Sequence, residues 1–335
     1  MTVRCKAPLR ISFGGGGTDV SPYIEDKGGA VLNATIKQYA YCTISKREDK
    51  SVVIKSLDYD RLIKYDIDQD IRYDGQLDLV KATLKVMDVK DGVNIFLHCD
   101  APPGSGLGTS SSLVVSIIGA IRQMLRLPLT EYDIAEYAYH IERNELGIAG
   151  GKQDQYAASF GNFNFIEFTR DMTIVNPLRI NQDIIDELEY RLMLCYTGKT
   201  RLSAGIINDQ IHSYIKSNKT VVDALDYSKK LATDMKRAIL LGKIDDFGQL
   251  LNEAWTAKQK YSKKMTDNGI DKLYDTARKT GAIGGKLLGA GGGGYLLLLC
   301  DFDKRHVVAE ELEKRGGKVT NVTFDYRGMS SWEIA

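Results

Sequence analysis

Four hydroxyl side chains in a row, Thr109, Ser110, Ser111 and Ser112, follow directly on the glycine-rich segment Pro103-Gly104-Ser105-Gly106-Leu107-Gly108. Glycine-loop N–H groups and the open start of a helix together hold an anion, and neighbouring hydroxyls reach a phosphate oxygen or Mg²⁺. The loop contains no lysine, so its grip on phosphate rests on backbone and hydroxyls. Mg²⁺ binds few protein oxygens and fills the rest of its shell with water and phosphate, so one hydroxyl and one carboxylate suffice. Glu142 is a candidate for that carboxylate; the alternative is an ordinary solvated helix residue. Asp154 lies beyond a glycine break at Gly147 to Gly151. A carboxylate there can orient and deprotonate a hydroxyl nucleophile. Equally, it can be an acid placed at a helix start by the dipole.

The elements that must carry these groups are legible around them. Val93 to Leu97 alternates like a strand, and Leu113, Ile117, Ile121 and Leu125 recur at helical spacing. The glycine loop therefore opens into a helix, with Thr109 and Ser110 as expected N-caps. Thr130-Glu131-Tyr132-Asp133 resembles a capping box with Asp at its third position, and the helix it starts is expected to carry Glu142 near its end. A short helix from Lys152 puts Asp154 in its first turn, and Asn162 to Phe168 alternates as a strand. Strands are expected at Leu192–Tyr196 and Tyr295–Leu299, and a final one at Val319–Tyr326, with mostly helix over 202–280. This mixture gives an α+β fold of two domains, 1–188 and 189–335, with the last strand free to return to the first domain.

The 335 residues carry 45 Lys+Arg against 44 Asp+Glu, a formal charge of +1. Such a balance provides no field for nucleic acid or an anionic membrane, and leaves self-association open. Apolar runs stay far below the roughly 20 residues of a membrane span. The N-terminus lacks a secretory pattern, and five scattered cysteines without a CxxC read as reduced thiols, so the expectation is a cytoplasmic protein. With four histidines and no HExxH, a transition-metal site is not expected. Glycine, 32 residues in all, concentrates at Gly14–Gly17, at 104–108 and at Gly281–Gly294. Apolar strand and helix patterns flank these clusters, which argues against flexible linkers. Gly289, Gly291 and Gly294 fit GxGxxG but run into a strand, where a dinucleotide fold needs a helix. Gly198-Lys199-Thr200 lacks the first glycine of a Walker A motif, since position 193 is Met.

Pro103-Gly104-Ser105-Gly106-Leu107-Gly108-Thr109-Ser110-Ser111 resembles the central motif of the GHMP kinases, PxxxGLGSSAA. Ala7 to Asp19 (APLRISFGGGGTD) and Lys286 to Gly294 (KLLGAGGGG) resemble the N- and C-terminal motifs of that family, in the same order. RISFGGGGTD, GGAVLNATI, TGKTRLSA and DYRGMSSW are similar to the bacterial D-glycero-D-manno-heptose 7-phosphate kinases within it. The resemblance implies a ribosomal-S5-like N-terminal domain, a ferredoxin-like C-terminal domain, and a site between them that uses ATP and Mg²⁺ on a small-molecule sugar phosphate.

Carried over by position, it implies that Pro103 to Ser111 cradle the ATP phosphates. Ser110 and Glu142 would hold Mg²⁺, and Asp154 would be the catalytic carboxylate. Asp19, with Gly16, Gly17 and Thr18, would bind sugar hydroxyls, and Gly291, Gly292 and Gly293 would let backbone approach the substrates. Arg10 stands where mevalonate kinases carry lysine; it does not titrate and acts as an electrostatic partner. A 7-phosphate needs a second anion site, with Arg201, Lys199 and Lys152 as candidates. The implied reaction is phosphorylation of an anomeric C1 hydroxyl for surface-polysaccharide heptose. The alternatives are a fucose- or galactose-type sugar kinase and a non-catalytic sugar and ATP sensor.

Overall fold

The structure, a computed structural model, describes residues 1–200 and 204–334. The chain opens with strand β1 (Thr2–Gly14), a short helix α1 (Tyr23–Lys27) and the long strand β2 (Gly29–Lys46). A hairpin of β3 (Ser51–Ser56) and β4 (Arg61–Asp66) precedes α2 (Asp78–Val86) and β5 (Val93–Cys99). Helices α3 (Thr109–Leu125), α4 (Glu131–His140) and α5 (Gln153–Phe160) follow, then the hairpin β6 (Phe163–Phe168) and β7 (Thr173–Pro177). Next come α6 (Gln182–Arg191), β8 (Leu192–Tyr196), and the helices α7 (Ala204–Ile215), α8 (Lys219–Leu240), α9 (Ile244–Lys258) and α10 (Asn268–Thr280). The chain ends with β9 (Ala282–Leu287), β10 (Tyr295–Cys300), α11 (Arg305–Glu313), β11 (Lys318–Asn321) and β12 (Ser330–Ile334).

Two sheets organise these elements. In the larger, the order is β12-β1-β2-β5-β3-β4, and β6 and β7 join along the first stretch of β2. The 18 residues of β2 reach two neighbours in turn: Gly29 to Ala34 pair with β6, and Ala40 to Lys46 pair with β5. The smaller sheet, β11-β8-β10-β9, is antiparallel throughout. Its strands β8 and β10 read as near-continuous apolar runs because both faces are covered. Leu192, Leu194, Leu297 and Leu299 enter the main core, and Met193, Cys195, Leu296 and Leu298 a second one. The main core also takes Ala232 and Met235 of α8 and Phe247 of α9, so helices from the second half of the chain seal one face of β1 and β2. Residues 188 and 189 lie inside α6.

Three local expectations need correction. The segment 319–326 is not one strand: β11 pairs with β8, while Phe324 bridges Ile36 in the larger sheet. The chain changes sheets there, and no single strand serves two sheets. The last strand is instead β12, antiparallel to β1. The N-cap of α3 is Gly108, at φ 76, and neither Thr109 nor Ser110 caps the helix. Glu142 lies beyond α4 proper, in a π-helical turn at Ile141–Glu145. The Thr130 capping box is present as read, with Asp133 as its third residue.

Candidate active site

The glycine loop is pinned from both sides. Arg10 lies on β1 between two register shifts, at Pro8/Leu9 and Ser12/Gly14; bulges of this kind re-aim side chains near functional sites. Its backbone N–H donates to Leu107 O (3.0 Å), and its Nη1 donates to Gly106 O (2.6 Å). Opposite, the loop rests on the turn between β9 and β10. Tyr295 N donates to Ser105 O (3.1 Å), and a Cβ on Gly106, at φ 84, would sit 2.8 Å from Leu288 O. A side chain at that position would therefore push two glycine motifs apart. The amides of Gly292 and Gly294 are taken by Met265 O and Lys199 O (both 2.8 Å). In this arrangement the Gly291-Gly292-Gly293 cluster serves backbone-on-backbone packing.

Past the loop, α3 begins with no side chain capping its N-terminus. Its first turn leaves orphan N–H groups and the positive dipole end directed at whatever the loop encloses. Ser110, exposed, donates from Oγ to Glu142 Oε1 (2.9 Å). Buried Ser111 donates to Glu142 Oε2 (2.7 Å). Glu142 is thus a buried carboxylate beside an exposed hydroxyl, and the surface-residue alternative does not hold for it. Two hard oxygen donors beside the glycine loop and the open start of α3 fit Mg²⁺, which takes its remaining ligands from phosphate and water. Among the described residues there is no cluster of three His, Cys, Asp or Glu that suits a more demanding metal.

Asp154 sits in the first turn of α5. Arg10 Nε and Nη2 both reach its Oδ1 (2.7 Å each). Oδ2 accepts no hydrogen bond from the described residues, which leaves it open for an incoming hydroxyl. Gly108 lies against both groups, since a Cβ there would meet Arg10 Cγ and Asp154 Cγ at 3.5 Å. One guanidinium therefore joins the loop that would hold phosphate to the carboxylate that would meet the acceptor.

Asp19 completes the arrangement. It is buried, with Oδ1 accepting from Gly17 N (3.0 Å) and Oδ2 from Gln153 N (3.1 Å). Burial pushes its carboxyl above the usual range and nearby Asp154 adds to the shift, while the two N–H groups oppose it. Gly16 and Gly17 are held by side chains from the second half of the chain. Tyr261 OH lies 3.2 Å from Gly16 O, and Gln210 Nε2 donates to Gly17 O (2.9 Å). The Thr18 hydroxyl is consumed locally, donating to Gly15 O and accepting from Ala30 N, so the side chain braces the turn.

The cations proposed for a second anion are placed differently. Lys199 Nζ pairs with Asp267 Oδ2 (2.8 Å), and Lys152 Nζ lies 3.3 Å from Glu136 Oε1 and over the Tyr139 ring. Arg201 lies outside the described residues. Two lysines that sequence reasoning missed are buried near the site. Lys286 donates to Phe13 O (3.0 Å), and Lys258 donates to Leu287 O (2.9 Å) and Gly289 O. Burial pulls Lys286 down from 10.5 to about 7, and pulls Lys258 well below its ordinary value. Lys258 had a signal: Leu251, Ala254, Trp255 and Lys258 form the buried stripe of α9. Lys286 stood inside a motif read only for its glycines.

Similar proteins fall in one family. The family profile described as GHMP kinases N terminal domain matches residues 78–162, and GHMP kinases C terminal matches residues 235–318. A protein of Campylobacter jejuni named D-glycero-alpha-D-manno-heptose 7-phosphate kinase is 39% identical, over 99% of both chains. A crystal structure described as a D-glycero-D-manno-heptose 1-phosphate kinase from Bacteroides thetaiotaomicron superposes with TM-score 0.84 at 36% identity, over 99% of each chain. Lactococcus lactis galactokinase shares the fold, with TM-score 0.80 at 20% identity, covering 98% of this chain and 95% of that one. The first profile encloses the phosphate loop, Glu142 and Asp154, and the second encloses Lys258 and the glycine turn that backs the loop. With its motifs, its site and a relative matched end to end, this chain belongs to the GHMP kinase family.

Proposed function

We propose that this chain is an ATP-dependent sugar-phosphate kinase, a phosphotransferase with an alcohol acceptor. Its reaction is transfer of the γ-phosphoryl group to the anomeric C1 hydroxyl of D-glycero-D-manno-heptose 7-phosphate, giving the 1,7-bisphosphate. The chemistry is carried by one observation, the Arg10 guanidinium that bonds both Gly106 O and Asp154. The choice of sugar is supported by likeness to the heptose 7-phosphate kinase over the full length of both chains.

Phosphoryl transfer asks the protein for positioning and charge neutralisation more than for covalent work. The amides of Gly104 and of Gly106 to Ser111, with the start of α3, cradle the phosphates, while Ser105 N donates to Pro102 O (3.2 Å) and braces the loop. Mg²⁺, held by Ser110 Oγ and Glu142, would neutralise charge on the phosphoryl oxygens. Arg10 fixes Asp154 through Oδ1 and adds positive charge at the loop, and Asp154 Oδ2 aligns the C1 hydroxyl and takes its proton late. Asp19 accepts hydrogen bonds from the other sugar hydroxyls, beside the backbone of Gly16 and Gly17. Thr18 contributes backbone alone, because its hydroxyl is spent. For the 7-phosphate we retain Lys199, Lys152 and Arg201. The first two must exchange a carboxylate partner for the phosphate. We further propose two domains, 1–188 and 189–335, with β12 as a strand of the first, and a cytoplasmic setting, in keeping with five free, buried cysteines.

The test is ADP release over a panel: heptose 7-phosphate, heptose 1-phosphate, unphosphorylated heptose, fucose and galactose. The expected result is turnover on heptose 7-phosphate, with a new anomeric phosphate in the ³¹P spectrum. Turnover confined to unphosphorylated sugars overturns the 7-phosphate reading. Turnover confined to heptose 1-phosphate overturns the C1 hydroxyl as acceptor and places it elsewhere on the sugar.

A further inference from the structure

We propose that Gln155 is a positioning residue that fixes the Glu142 carboxylate for the metal, an inference that rests on the reading of Ser110 and Glu142 as metal ligands. Gln155 follows Asp154 in the chain, and its side chain points the other way, into the protein, fully buried. Its Nε2 donates to Glu142 Oε2 and to Ser111 Oγ (3.1 Å). A carboxylate only accepts, so the amide must present nitrogen to it. Among the described residues the amide oxygen is then left buried without a partner, a cost the protein carries for these contacts.

The two oxygens of Glu142 are treated unequally. Oε2 receives Ser111 and Gln155, both buried, with Arg143 Nη2 at 3.8 Å. Among the described residues, Oε1 receives only the exposed Ser110 hydroxyl. The inner oxygen is saturated, and the outer one shares its side with the other proposed ligand. Donors on the inner oxygen fix the rotamer of a side chain that hangs from a π-turn rather than a regular helix, and they hold its charge where the cation must arrive. Because Gln155 and Asp154 are consecutive, the same turn of α5 sets both the metal carboxylate and the acceptor carboxylate.

The test measures affinity for a non-hydrolysable ATP analogue by calorimetry, with and without saturating Mg²⁺, so that no turnover enters the readout. Gln155→Met keeps the volume and removes the donor. Its metal-free affinity is expected to match wild type, while the gain on adding Mg²⁺ falls about 10- to 100-fold, the usual effect of losing an outer partner of a metal ligand. Ser111→Ala removes the other inner donor and is expected to move the gain the same way by less; it decides the matter if Gln155→Met melts. Glu142→Gln is the reference for the underlying reading. If Glu142→Gln keeps the wild-type gain, Glu142 is not a ligand and both readings fall. If Glu142→Gln loses the gain while a folded Gln155→Met, or failing that Ser111→Ala, keeps it, the metal site stands and the role of Gln155 is overturned.

Discussion

The two ends of the site are built on opposite plans. At the phosphate end, Arg10 and Asp154 pair with side chains 4% and 25% exposed, beside Gly108 at φ 76 and Gly106, where a Cβ would sit 2.8 Å from Leu288 O. At the residues proposed for a second phosphate, Lys199 and Asp267 pair at 56% and 25% exposure, and, elsewhere, Lys152 and Glu136 at 21% and 50%. The first pair is held by its surroundings. The others are surface pairs, screened by solvent and contributing about 0–1 kcal/mol. The contrast separates two tasks. Chemistry common to a family needs geometry that does not relax, whereas the recognition proposed for Lys199 and Lys152 would be met by charges already occupied and exchanged at small cost.

The sharpest way to break this contrast is Asp154→Asn. If Asp154 aligns the acceptor and takes its proton, kcat is expected to fall about 10²- to 10⁴-fold. Nucleotide affinity should stay near wild type, because Asn retains an oxygen for Arg10 and the loop keeps its Leu107 and Gly106 contacts. Steady-state kinetics with calorimetry of the ATP analogue measures both. Retained turnover would make the Arg10–Asp154 pair a structural strut and leave the acceptor without a base.

Legibility in the sequence follows the same division. Glycine in bulk is unfavourable unless a close approach demands it, so the three clusters announced themselves, and Glu142 and Asp154 came with them. The buried polar groups packed behind the site did not. Gln155, Lys258 and Lys286 are types that normally face water, and only burial, a property of the assembled fold, gives them a role. The helical phase of α9 was the one local hint, for Lys258. The sheet change at Val322 to Asp325 and the return of β12 depend on pairing across some 290 and some 330 residues, which no local pattern encodes. For Lys152 and Lys199 the residue type was legible and the partner was not, because Glu136 and Asp267 reach them only through the fold.

The buried lysines sharpen the comparison through pH. Lys286 binds a proton less readily when folded, since burial lowers it from 10.5 to about 7. Between those values the unfolded chain carries the extra proton, so stability rises with pH across the window; below pH 7 both states are protonated and the full cost remains. Lys286→Met removes that proton from both states. Urea unfolding from pH 7 to 10 is expected to show a slope reduced by up to about 1.4 kcal/mol per pH unit relative to wild type. The Phe13 carbonyl loses its partner, which offsets part of the gain at pH 7 by about 1–3 kcal/mol. An unchanged slope would mean that Lys286 reaches solvent in the native state, and that this end of the site is softer than its packing indicates.

The smallest effect is expected from Lys199→Ala, and it bears on the recognition end alone. Asp267 caps α10 through Oδ1, with the amides of Gly269 and Ile270, while Lys199 holds Oδ2. Loss of the lysine leaves the cap intact, so the change in stability should stay below about 1 kcal/mol. If Lys199 leaves Asp267 to grip the 7-phosphate, it exchanges one charge-assisted contact for another, and the net gain is less than a new bond would give. KM for heptose 7-phosphate is then expected to rise about 3- to 10-fold with kcat unchanged. The KM of any residual activity on unphosphorylated heptose should not move, because that substrate has nothing for the lysine to hold. The difference between those two KM changes is the measurement that matters. An equal rise for both sugars would mean that the Lys199 side chain acts indirectly, by ordering the segment whose backbone carbonyl holds Gly294 and with it the turn behind the phosphate loop. The residue would then belong to the rigid end of the site, and the search for the distal anchor would move to Lys152 and Arg201.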